Sequence, residues 1–127
     1  MTDAAPARLL ITGSRNWTDA EAIESALGLF RTPLVIVHGD CPTGADAIAR
    51  AWADRTEGVE HEPHPADWSK GRKAGPLRNQ AMVDLGGYWG CIAFPLGESR
   101  GTYDCMRRAE AAGISVINRG DSGWSTP

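Results

Sequence analysis

Arg15, Asp46, Arg78, Ser99, Arg100 and Asp104 stand in or just beyond short glycine-bearing segments, and side chains of these types can hold a phosphate and act on a sugar attached to it. Three of the segments read Thr12-Gly13-Ser14-Arg15, His38-Gly39-Asp40-Cys41-Pro42-Thr43-Gly44-Ala45-Asp46 and Pro95-Leu96-Gly97-Glu98-Ser99-Arg100-Gly101-Thr102. Glycine permits positive φ and close approach of a ligand to the backbone, and a helix beginning after such a turn aims free N–H groups at an anion. In the first segment Gly13 and Ser14 offer N–H and hydroxyl donors, and Arg15 a bidentate fork. In the second, Gly39 turns the chain, Gly44 and Ala45 keep a helix start open, and Asp46 is placed to accept from a ribose hydroxyl or simply to cap the helix. A further segment, Gly75 to Met82, puts Arg78 and Asn79 in a first helical turn, where an arginine opposes the dipole unless an anion compensates it. Gly97, Ser99, Arg100, Gly101 and Thr102 combine hydroxyls, a guanidinium and small residues into an anion nest.

Other chemistries find less support. Neither a GxGxxG fingerprint nor a Walker lysine motif is present. Cys41 with His38 lacks a third group to orient the base. His61 and His64 have no carboxylate or cysteine at metal-ligand spacing, so neither a metal nor an organic cofactor is expected. Trp17 and Trp68 fall in loops, where each stacks on a base or covers a core edge, whereas Trp52 and Trp89 read as packing residues.

These segments need strands before them and helices after them. Arg8 to Thr12, Leu34 to His38, Val59 to Pro63, Cys91 to Phe94 and Ile114 to Ile117 are short apolar runs of strand type. Helical periodicity follows the first from a Thr18-Asp19-Ala20-Glu21 capping box to Arg31, where Pro33 ends it. A second helix, capped by Thr43 with Asp46, runs toward Gly58; a third starts at Pro76 and ends near Leu85; a fourth covers Thr102 to Ala112. His64 to Gly75 reads as a long functional loop, and Asn118 to Pro127 as a polar, frayed tail. Alternating strands and helices predict an α/β, three-layer Rossmann-like fold with a five-stranded, mainly parallel sheet. The order 3-2-1-4-5 would bring the loops after strands one, two and four together at the carboxyl edge.

A chain of 127 residues fits one domain, 1–127. The net charge of −3 argues against a general nucleic-acid surface, making nucleic acid an unlikely partner and a small-molecule nucleotide the expected one. Three cysteines without a CxxC pair fit a reducing cytoplasm, and no apolar stretch suggests a leader or a membrane span. The mixed apolar surface around Trp52 and Trp89 would suit a homo-oligomer.

The segments from His38, from Gly75 and from Ser99 (Ser-Arg-Gly-Thr-Tyr-Asp) together resemble the YspA/cpYpsA-related SLOG family, across Leu9 to Val116. The resemblance implies a Rossmann-like domain that senses or processes nucleotides and ADP-ribose-related ligands, of a kind also found in bacteriophages. A more distant similarity is to the LOG phosphoribohydrolases, which split nucleoside monophosphates, and to the single-strand-binding DprA fold. The LOG Arg-Lys-x-x-Met pattern looks like Arg78 to Met82, and its Pro-Gly-Gly-x-Gly-Thr-x-x-Glu pattern like Pro95 to Cys105. Cys105 stands where the hydrolase carboxylate belongs, and Asp104 is one residue early, a turn of about 100° on a helix. The implied function is capture of a phosphorylated nucleoside or ADP-ribose-like ligand. The alternative is an N-glycosidic hydrolase using Asp104, Asp46 and Arg78, and the residues leave open whether the protein is an enzyme.

Overall fold

The structure, a computed structural model, describes residues 5–120. Residues 1–4, and 121–127 of the expected polar tail, lie outside the described residues. Five strands, β1 (Ala7–Gly13), β2 (Leu34–His38), β3 (Val59–Pro63), β4 (Gly90–Phe94) and β5 (Val116–Asn118), alternate with helices α1 (Ala20–Leu27), α2 (Gly44–Asp54), α3 (Ala74–Leu85) and α4 (Arg100–Ala111). The sheet order is β3-β2-β1-β4-β5, and every pairing is parallel.

Side chains alternating along each strand feed two cores. Leu9, Ile11, Ile36 and Phe94 meet Ile23 and Leu27 of α1 and Ala45, Ala49 and Ala53 of α2. Leu10, Val37 and Cys91 meet Met82 and Val83 of α3 and Cys105 and Ala109 of α4 on the opposite face. Two helices therefore cover each face, giving the expected α/β/α layering. A central strand buried on both faces must be apolar at every position, which is why Leu9, Leu10 and Ile11 are fully buried.

Several boundaries differ from the sequence reading. The cap of α1 is Asp19, whose carboxylate accepts from the Ala22 N–H at 3.1 Å, and the helix stops at Leu27, short of Arg31. Phe30 still packs against the core from the turn beyond, so its helical spacing reports burial and not helix. The segment expected as one long loop contains a 3-10 helix, Trp68–Lys73, started by Asp67 accepting from the Ser69 N–H at 3.1 Å. Gly71 at φ 71 breaks its regularity, and α3 begins two residues before Pro76.

Candidate functional site

The carboxyl ends of β1, β2 and β4 converge because β1 lies between the other two, with Gly13 in register with Phe94. Ser14 is held there by its backbone: its N–H donates to the Phe94 carbonyl at 3.0 Å and its carbonyl accepts from the Ala45 N–H at 3.1 Å. A cavity of about 200 Å3 opens at this point, lined by Gly13, Ser14, Arg15, Gly39, Asp46, Arg78, Asn79, Ser99, Arg100, Gly101 and Thr102 of the expected set. Gly97 lines an adjoining, wider groove; Gly44 and Ala45 line neither.

Three of the glycines are approached by the protein itself. A Cβ on Gly13 would collide with the Ala45 side chain, one on Gly39 with the Arg78 guanidinium, and one on Gly44 with the backbone of Ser14 and Arg15. Gly44 also sits at φ +76. These residues let α2 and α3 close onto the strand ends. Gly97 and Gly101, by contrast, have no heavy atom within 4 Å of a built Cβ, so the space above them is open.

Arg78 is a tie between elements. Its Nη1 donates to the Gly39 carbonyl and, at 3.2 Å, to that of His64, and its Nε donates to Asn79 Oδ1 at 2.9 Å. Asn79 in turn donates through Nδ2 to the Gly101 carbonyl at 3.2 Å and Asp104 Oδ2 at 3.0 Å. The pair locks α3 to the β2 end and to the start of α4. Arg78→Ala is expected to cost about 1–3 kcal/mol of stability by leaving part-buried carbonyls unpaired, read by urea denaturation. Arg78→Lys should recover little of it, since an ammonium cannot reproduce the fork.

Arg15, Arg72 and Arg100 have no carboxylate within 4.0 Å among the described residues, although the chain as a whole is acidic. Ser99 occupies the N-cap position of α4, but its hydroxyl pairs with Thr102 Oγ1 at 2.6 Å and makes no cap bond to the backbone. The first N–H groups of α4 thus keep their donor capacity at the cavity wall. Thr43, expected to cap α2, instead donates to the Arg15 carbonyl at 2.9 Å, tying the second loop to the first.

The two carboxylates differ. Asp46 is buried at the cavity, and burial pushes its pKa up to about 6 despite the N–H donated by Cys41 at 3.2 Å. It is a proton acceptor or donor near neutrality. Asp104 faces the wider groove. Burial there would raise its pKa, but hydrogen bonds from Arg108 at 2.8 Å and from Asn79 outweigh it and hold the carboxyl below the ordinary range. Cys105, at the position of the LOG carboxylate, is fully buried in the core beneath α4.

His38 is also fully buried. The Asp40 N–H donates to its Nδ1 at 3.0 Å, which places the ring proton on Nε2, facing His61 Nδ1 at 3.0 Å. His61 Nε2 then meets Asp54 at 3.3 Å. Burial, then the neighbouring His61, lowers the His38 pKa to about 4. Its imidazole is therefore committed to this chain and not to Cys41. Among the described residues no cluster of three or more His, Cys, Asp or Glu is arranged to hold a metal ion.

Trp17 does not reach the cavity. It is 8% exposed, packs edge-on against Phe94 and donates from Nε1 to the Asp19 carbonyl at 2.8 Å. Trp68 is 60% exposed and lines the wider groove. Trp52 packs on the core, whereas Trp89 remains 57% exposed, edge-on to Phe30. Asn16 and Glu98 in the cavity, and Arg72, Tyr103 and Arg107 in the groove, are lining residues that sequence reasoning misses, while Cys41, weighed there as a nucleophile, also lines the cavity. The spacing of Arg100, Tyr103 and Arg107, three then four, is the one signal that marks a common helix face.

A parallel sheet in this order, with an arginine-rimmed cavity at its carboxyl edge, defines the Rossmann-like class of α/β domains. Within that class the chain belongs to the YspA, cpYpsA-related SLOG family, whose model matches residues 7–71. It is 54% identical over 123 residues to the "Gene 61 protein" of Mycobacterium phage D29, an alignment covering 90% of this chain and 97% of that protein. No solved structure matches it. No helix among the described residues is long and apolar enough to cross a membrane.

Proposed function

We propose that this domain captures a phosphorylated nucleoside or ADP-ribose-like ligand, with the ribose phosphate in the cavity at the carboxyl ends of β1, β2 and β4. The observation that carries the reading is that Arg15 and Arg100, without a carboxylate partner among the described residues, line the same cavity as the uncapped first turn of α4. Cations left without carboxylates beside free backbone donors form a preorganised anion site. Asp46, on the same cavity, accepts from a ribose hydroxyl and disfavours a phosphate at its own end. Ser14, Ser99 and Thr102 supply neutral donors around the phosphate. Gly13 and Gly39 bring the strand ends close, and Asn79 and Arg78 position the rim. The ligand is a free nucleotide in a reducing cytoplasm, in keeping with three free thiols.

Arg100→Ala should weaken binding of adenosine 5′-monophosphate by about 1–3 kcal/mol, the worth of a charge-assisted hydrogen bond, with little change in thermal stability because its side chain is exposed. Isothermal calorimetry checks this, and unchanged affinity in the folded variant would overturn the phosphate assignment. A second reading, an N-glycosidic hydrolase, rests on Asp46: its raised pKa fits proton transfer to a leaving base, whereas the ion-paired Asp104 does not fit that duty. Release of free adenine from the monophosphate, lost in Asp46→Asn, would establish it.

A further inference from the structure

The inner cavity, at about 200 Å3, falls below the roughly 300 Å3 at which pockets for small organic ligands begin. It has room for a sugar phosphate more readily than for a whole nucleotide. The cavity does not close there. Arg15, Arg78, Asn79 and the Glu98–Gly101 turn are shared with the wider groove of about 920 Å3, so a ligand seated in the first continues into the second.

The groove is built differently from the cavity. Its lining includes Trp68, Pro76 and Tyr103 together with Arg72 and Arg107. Trp68 belongs to neither hydrophobic core and is 60% exposed, so packing does not account for the indole. It opens the 3-10 helix capped by Asp67, and its ring lies in ordinary contact distance, 3.8 Å, of a Cβ built on Gly75 at the start of α3. An exposed indole lining an open groove is a stacking platform, because every nucleobase offers a π-face and stacking needs no particular hydrogen-bond pattern. The guanidinium groups of Arg72 and Arg107, lining the same groove, add attraction to a bound ring and to any further phosphate.

We infer that this groove is the nucleobase subsite, and that Trp68 is the residue by which the protein prefers base-bearing ligands to bare sugar phosphates. The inference rests on the reading of the inner cavity as a ribose-phosphate site. It assigns the 3-10 helix, absent from the sequence reading, a role in holding the indole over the groove.

The test is calorimetric titration of wild type, Trp68→Ala and Trp68→Phe with ribose 5-phosphate and with adenosine 5′-monophosphate. Trp68→Ala should lose about 5- to 100-fold in affinity for the nucleotide, the range for one base on an aromatic ring, and change that for ribose 5-phosphate less than about twofold. Trp68→Phe should restore most of the loss. Equal losses for both ligands, or none for the nucleotide, would overturn the subsite alone. Failure of wild type to bind either ligand would overturn the inner-cavity reading and this inference with it. A short single-stranded oligonucleotide binding more tightly than the mononucleotide would overturn the assignment to a free nucleotide.

Discussion

Gly44→Ala should lower the free energy of unfolding by about 2–5 kcal/mol, combining the cost of a left-handed conformation with that of overpacking. The residue sits at φ +76, and the added methyl would strike the backbone of Ser14 and Arg15, which cannot swing aside as a long side chain can. Ser14 is itself fixed by hydrogen bonds to Phe94 and Ala45, so the strain passes directly into the contact between β1, β4 and α2. Against a typical total of about 5–15 kcal/mol, this is a large fraction. Gly101→Ala is the matched control. It lies in α4 with negative φ and open space, and should gain about 0.5–1 kcal/mol from reduced freedom of the unfolded chain. Chemical denaturation of both variants decides the matter, and equal effects would contradict the separation of packing glycines from rim glycines.

The second large effect is hidden in the wild-type protein by cancellation. The folded-state pKa of Asp46 is raised to about 6, so the native chain keeps a proton that the unfolded chain releases near 3.8. Its contribution is complete below the lower value and is lost as pH rises through the upper one. His38 is the reverse: its folded pKa is about 4 against an ordinary 6.5, so its contribution is complete above 6.5 and is lost as pH falls through 4. Each shift corresponds to roughly 3 kcal/mol across its window, and the two slopes oppose each other over nearly the same range. Asp46→Asn should therefore gain stability by roughly 3 kcal/mol between pH 4 and 6.5 through the remaining histidine, and His38→Gln should lose a similar amount as pH rises. Urea titrations at closely spaced pH values read both slopes. Parallel pH profiles for the two variants would show that these groups do not titrate as their burial requires.

Much of the fold was legible because local signals agreed. Pro33 and Gly39 bracket Leu34 to His38, and that strand appears with those limits, as does Val59 to Pro63. From the sequence the strand order 3-2-1-4-5 is only a condition, since right-handed βαβ units are compatible with more than one order, and the sheet has it. Legibility stopped where a residue's partner is far along the chain. Gly13 and Gly39 line the cavity, but what requires glycine there is the close approach of Ala45 and Arg78, and no local pattern reports that. Trp17 and Trp68 both sit in polar loops; only the position of Phe94 decides that one is buried. The first-turn position of Arg78 suggests a phosphate contact but carries no sign that its Nη1 also binds two backbone carbonyls from other segments. The hydrogen-bonded chain from Asp40 through buried His38 and then His61 to Asp54 joins residues of three elements and the loop after β2, and periodicity carries no trace of it.

The central claim is that the strand-end cavity holds the phosphate of a nucleoside. Its most direct measurement is a thermal-shift titration of wild type and Arg100→Ala with adenosine 5′-monophosphate, ADP-ribose and ribose 5-phosphate, since a ligand that binds only the folded state raises the melting temperature with its concentration. The expected result is a saturable rise in wild type with at least one of these ligands, shifted to higher concentration in Arg100→Ala. A flat response of cooperatively melting wild-type protein to all of them would contradict the claim.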